Sequence, residues 1–175
     1  MNLDLVGKMA ELQDDMTPLQ IGSSGVYDGK NFDVIGRLKV GYSDGVWNEW
    51  YTIFADGGEG WLAEAQGFWA MCFPVNPKDA YLPNLDKIKP GLSMTIPSYG
   101  SFDVSDIREV VCRYSEGELP MNAVQRRTST SVDLTGGDDE FATIEYAQDC
   151  TRIFVGAYQD FDEFKFQYLR ELDGW

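Results

Sequence analysis

The chain has 175 residues, which suits one ordinary domain or two very small ones, and 43 % of them are apolar, so a packed core is expected rather than disorder. Lys and Arg number 14 against 29 Asp and Glu, a formal charge of −15. With Arg126-Arg127 the only adjacent basic pair, that balance argues against nucleic acid and against docking on anionic lipid.

Histidine is absent, which removes Ser-His-Asp and Cys-His catalysis and most zinc sites. Cys72, Cys112 and Cys150 are odd in number, form no CxxC pair and lie in apolar runs. Free thiols used as small core residues in a reducing compartment are the expectation. The N-terminus shows no secretory pattern and no apolar run approaches a membrane span, so the expected location is cytoplasmic, without membrane insertion.

In chain order, residues 1–16 read as an N-terminal arm or short helix, with Gly7 weakening the helical spacing. From Pro18 the pattern is β. Asp28-Gly29 signals a hairpin. Phe32, Val34, Leu38, Val40 and Tyr42 then share one strand face, with Gly36 in the remaining slot, where a bulge or sharp bend is expected. In Trp47–Phe54 both faces are apolar: Trp50, Thr52 and Phe54 on one, Trp47, Glu49, Tyr51 and Ile53 on the other. Such a strand is central or covered. A turn at 55–60 leads to strands at Trp61–Glu64 and Phe68–Phe73.

Four of the seven prolines fall within 74–90, which marks a connector. Beyond it the pattern recurs. Phe32-Asp33-Val34 leading to Tyr42-Ser43-Asp44-Gly45 is echoed by Phe102-Asp103-Val104 leading to Tyr114-Ser115-Glu116-Gly117. Asp160, Glu163 and the spacing of Phe161, Phe164, Tyr168, Leu169 and Leu172 predict a capped amphipathic helix packed on the β body. The fold expected is therefore mainly all-β: an arm at 1–16, a first barrel-like β unit at 17–74, a Pro-rich connector at 75–90, a second unit at 91–159 and a C-terminal helix at 160–175.

Residues able to carry chemistry are few. Glu49 and Glu64, on adjacent strands among aromatics, form the one pair suited to acid–base hydrolysis of a glycoside; the plainer reading gives them indole or Arg37 and Lys39 partners. The acidic run Asp133–Glu140 lacks calcium-loop spacing and reads as an exposed hairpin loop. Gly22-Ser23-Ser24-Gly25 lacks the Lys of a phosphate loop. Trp47, Tyr51, Trp61 and Trp69 line either a core or a groove.

Several stretches resemble a bacterial domain family of unknown function: Thr17-Pro18-Leu19-Gln20-Ile21-Gly22, Val34-Ile35-Gly36-Arg37, Trp47-Asn48-Glu49-Trp50-Tyr51 and Gly60-Trp61-Leu62-Ala63-Glu64-Ala65, with Gly117-Glu118-Leu119-Pro120 and Phe141–Tyr146 further on. The resemblance implies a β-rich, intracellular, non-enzymatic domain and a place beside membrane-stress proteins. The zinc ribbon that some members carry is not implied, because residues 1–16 hold no Cys.

The function expected is a cytoplasmic, non-catalytic interaction module without cofactor, binding another protein, either a basic one or part of a membrane-associated complex. Its candidate surface is Trp47, Glu49, Trp50, Trp61 and Glu64. An acidic, immunity-type neutraliser of a basic protein and a carboxylate-dependent hydrolase are the alternatives.

Overall fold

The computed structural model describes residues 16–120 and 127–172. Two strand sets follow one another. The first holds β1 (Ser24–Tyr27), β2 (Lys30–Tyr42), β3 (Gly45–Phe54), β4 (Glu59–Ala65) and β5 (Phe68–Val75). The second holds β6 (Ser93–Ile96), β7 (Gly100–Gly117), β8 (Thr128–Thr135), β9 (Glu140–Tyr146) and β10 (Thr151–Tyr158). Each set is an antiparallel meander that opens with a short strand on a long one. The expected repeat motifs take equivalent places. Gly22 N–H donates to the Val34 carbonyl, and Gly91 N–H to that of Val104. The register of β2 slips between Val34 and Gly36, and that of β7 between Val104 and Asp106.

The two sets join into one sheet. β5 pairs with β10, and β2 pairs with β7, so eight strands close on themselves in the order β2-β3-β4-β5-β10-β9-β8-β7. Both seams are antiparallel pairings of equivalent strands, which relates the two halves by an approximate two-fold axis. This corrects the expectation of two barrel-like units in tandem: among the described residues neither half closes alone, and each supplies four staves of one barrel.

The β2–β7 seam explains two glycines. Gly36 pairs with Gly117 where the strands cross. A Cβ on Gly36 would run into the Glu118 carbonyl, and one on Gly117 into that of Ile35. The φ of +72° at Gly117 also suits glycine alone.

Among the described residues, three apolar clusters result. One lines the barrel interior: Leu38, Val40, Tyr51, Trp61, Cys72, Val110 and Phe141. A second lies outside the first half around Phe32, Val34, Trp50, Leu62 and Met71. A third lies outside the second half around Phe102, Val104, Val132, Leu134 and Ile144. The connector covers the third. The expected stretch starts too early, since Pro74 and Val75 still pair with β10 at the end of β5. Beyond Val75 it holds no described strand, makes two 3-10 turns at Pro77–Asp79 and Leu85–Lys87, buries Ile88 and accepts the Tyr146 hydroxyl at the Pro83 carbonyl.

The C-terminal segment covers the second cluster, and it is not the expected helix. Phe161–Phe164 forms one 3-10 turn, and Lys165 and Tyr168 turn left-handed with φ of 50° and 56°. Gln167 then pairs with Ser24 in both directions along the β1 edge, and Arg170 N–H donates to the Pro18 carbonyl. Phe161, Phe164 and Phe166 reach Trp69, Phe32 and one another. An open strand edge satisfies the backbone, so the aromatics dock without a helix. The expected helix also ran over 173–175, and the arm over 1–15; both stretches lie outside the described residues.

Candidate functional site

Strand alternation decides what enters the barrel. Register partners share a face, so Leu38, Glu49, Ala63 and Ala70 point inward across β2 to β5. Phe154, Thr143, Asp133 and Asp106 do so across β10 to β7. An eight-stranded barrel is wide enough either to be filled by side chains or to hold one small ligand. Small inward residues decide for space here. Ala63, Ala65, Ala70, Ser129, Ser131 and Thr143 border a cavity of about 990 Å³. At one rim it reaches the β4–β5 turn, where Phe68 is 66 % exposed and lies edge-on to Tyr158.

The two halves give the cavity unlike walls. The first is apolar and aromatic, with Leu38, Val40, Trp47, Trp61 and Cys72 surrounding Glu49. The second carries Asp106, Arg108, Asp133, Glu145 and Arg152. Arg152 reaches both oxygens of Glu145 at 2.8 Å. Arg108 donates to Asp106 at 2.7 Å, faces Asp133 at 3.8 Å and lies over the Tyr42 ring.

Among the described residues Glu49 receives one hydrogen bond, from Trp47 Nε1 at 2.9 Å. Burial pushes its carboxyl up to about 7, and nearby Glu145 adds to the rise. The same desolvation raises Asp133, against the pull of Arg108. Burial also raises the thiol of Cys72, with the Glu49 carboxylate adding to it.

The five residues expected on one surface divide between two faces of the wall. Trp47, Glu49 and Trp61 line the cavity. Trp50 and Glu64 sit on the other side of the sheet, in a polar knot. Trp50 is 0 % exposed; its Nε1 donates to Glu64 at 3.0 Å and Arg37 lies 4.7 Å above its ring. Thr17 and Asn48 also donate to Glu64, and Arg37 donates to Asn48. Glu49 pairs with Ala63 and Glu64 with Asn48, so the two carboxylates point to opposite faces and do not flank a common bond.

Residues 20–161 match a family model described as a domain of unknown function, DUF4178, and that span takes in all ten described strands. The chain belongs to the DUF4178 family. No curated protein and no solved structure matches it.

In this DUF4178 chain, sequence reasoning missed the whole polar wall. Asp133 reads from sequence as part of an exposed loop, yet it lies on β8 facing inward, and the loop begins after Thr135. Period-two spacing of Asp106, Arg108 and Val110, and of Ser129, Ser131 and Asp133, was the signal available. Cys150 also departs from expectation: it is exposed in the β9–β10 turn, where Arg127 pairs with Asp149. Among the described residues no helix is long and apolar enough to cross a membrane.

Proposed function

We propose that this DUF4178 protein is a non-catalytic, cytoplasmic receptor or carrier that holds one small organic molecule inside its barrel. The observation that carries this is the cavity of about 990 Å³ between an apolar wall and a charged wall. Ligand pockets span roughly 300–1,000 Å³, mostly apolar with a few convergent polar groups, and the lumen fits that description. The reading keeps the expected binding role and changes the partner. Trp50 at 0 % and Trp61 at 6 % exposure lie inside the molecule, away from any protein docking on its surface. Free thiols support a reducing compartment.

The test is a plug. Ala70, on β5, faces the lumen and is buried. Nile red, a neutral dye, should bind the unaltered protein at one saturable site, with energy transfer from tryptophan. Ala70→Trp should abolish that site while leaving the circular-dichroism spectrum of the fold intact. Dye binding unaffected by the plug, or no saturable site at all, overturns the proposal.

A further inference from the structure

Resting on that reading, we infer that the lumen's ligand is an organic cation with an apolar body, its ammonium seated on Glu49 and its body against Trp47, Trp61, Leu38 and Val40. Four carboxylates of the barrel strands border the cavity, Glu49, Asp106, Asp133 and Glu145, against two arginines from those strands, Arg108 and Arg152. The arginines are already engaged across the second half: Arg152 with Glu145, Arg108 with Asp106 and Asp133. Neither faces Glu49 within ion-pair distance among the described residues.

Glu49 is the odd carboxylate. Its described hydrogen bond comes from the indole N–H of Trp47 to Oε1, which leaves acceptor capacity on Oε2. It stands on the apolar wall, where a carboxylate with no cation in contact is costly to ionise; the charge of Arg152 offsets only part of that cost, and an incoming ammonium offsets more. The neighbouring rings are suited to the same ligand, because the negative face of an indole attracts a cation within about 6 Å. An anionic ligand would meet an excess of acid in the lumen and a chain carrying −15 overall.

Charge coupling follows. Facing Glu49 are Glu145 on β9, Arg152 on β10, Asp133 on β8, and the thiols of Cys72 on β5 and Cys112 on β7, both raised by burial. In the empty lumen the Glu49 carboxyl sits at about 7. An ammonium holds it ionised, so cation binding expels a proton at and below neutrality, and affinity climbs with pH until Glu49 is fully ionised in the free protein.

A matched ligand series tests this by calorimetry: 4-phenylbutylamine, 4-phenylbutanol and 4-phenylbutyrate, which differ in charge at nearly constant shape. The amine should bind the unaltered protein at pH 8 at least about tenfold tighter than the alcohol or the acid. Its affinity should fall about tenfold between pH 8 and pH 6, with a proton released that shows as a dependence on buffer ionisation enthalpy. Glu49→Gln should erase both the preference and the pH dependence while the alcohol still binds. Equal affinity for amine and alcohol overturns the inference and leaves the lumen reading standing, as does a preference that survives in Glu49→Gln. Failure of all three ligands to bind overturns it too, and the lumen reading is then decided by the plug variant.

Discussion

At the scale of single residues, hydrogen-bond partners separate two half-buried glutamates that the sequence makes look alike. Glu64 receives hydrogen bonds from Thr17, Asn48 and Trp50 and sits in a finished network outside the barrel. Glu49 has, among the described residues, the Trp47 indole as its hydrogen-bond donor, and it borders the cavity. The consequence for stability has a definite sign. The Glu49 carboxyl is raised from 4.5 to about 7 on folding. Below the unfolded value it is neutral in both states and costs nothing. As pH rises past that value the unfolded chain loses the proton first, so the folded state loses stability until it too ionises near 7. A rise of one pKa unit is worth about 1.36 kcal/mol, and the lumen screens part of it, so the loss is about 1–3 kcal/mol. Glu49→Gln removes it. In urea titrations of the ligand-free protein, the variant should gain about 1–3 kcal/mol on the unaltered protein between pH 4.5 and pH 8. Parallel stability profiles would refute this account of Glu49.

At the scale of elements, alternation was legible and its destination was not. Period two placed Trp50 and Trp47 on opposite faces of β3, and the structure keeps that division. A strand pattern does not say whether an inward face meets packed rings or empty space, because that depends on the residues opposite. Here these come from β7 to β10, remote in sequence. The C-terminal segment shows the same limit. Phe161 and Phe164 stand three apart, as on a helix, but Phe166 packs with them and belongs to no helical stripe. Tertiary demand for aromatics over the outer cluster, plus the free edge of β1, overrode the local preference. Phe164 is fully buried in that cluster. Phe164→Ala should therefore cost about 3–5 kcal/mol in chemical denaturation, while Nile red affinity, measured where the variant is folded, stays unchanged. A loss below about 1 kcal/mol would mean that the segment merely rests on the barrel.

At the scale of the whole molecule, the repeat could be read from Phe32-Asp33-Val34 and Phe102-Asp103-Val104, but the closure could not. Val40 meets Cys112, and Ala70 meets Tyr158, across the seams. No local pattern marks pairings so far apart in sequence, although Gly36 and Gly117 leave a trace of the crossing. Closure makes a mechanical claim that differs from that of two tandem units. Each half alone would have two unpaired edges and one uncovered inner face, so neither has a reason to survive when the other unfolds. The described tryptophans, Trp47, Trp50, Trp61 and Trp69, all lie in the first half, while the exposed thiol of Cys150 lies in the second. In a Trp175→Phe, Cys112→Ser background, tryptophan emission and a fluorophore on Cys150 therefore report the two halves separately. Their urea transitions should coincide in midpoint and slope, because losing either half opens both seams at once. Two separated transitions would show that the halves are stable without the seams. The lumen would then be a gap between independent units, with no fixed shape to select a ligand.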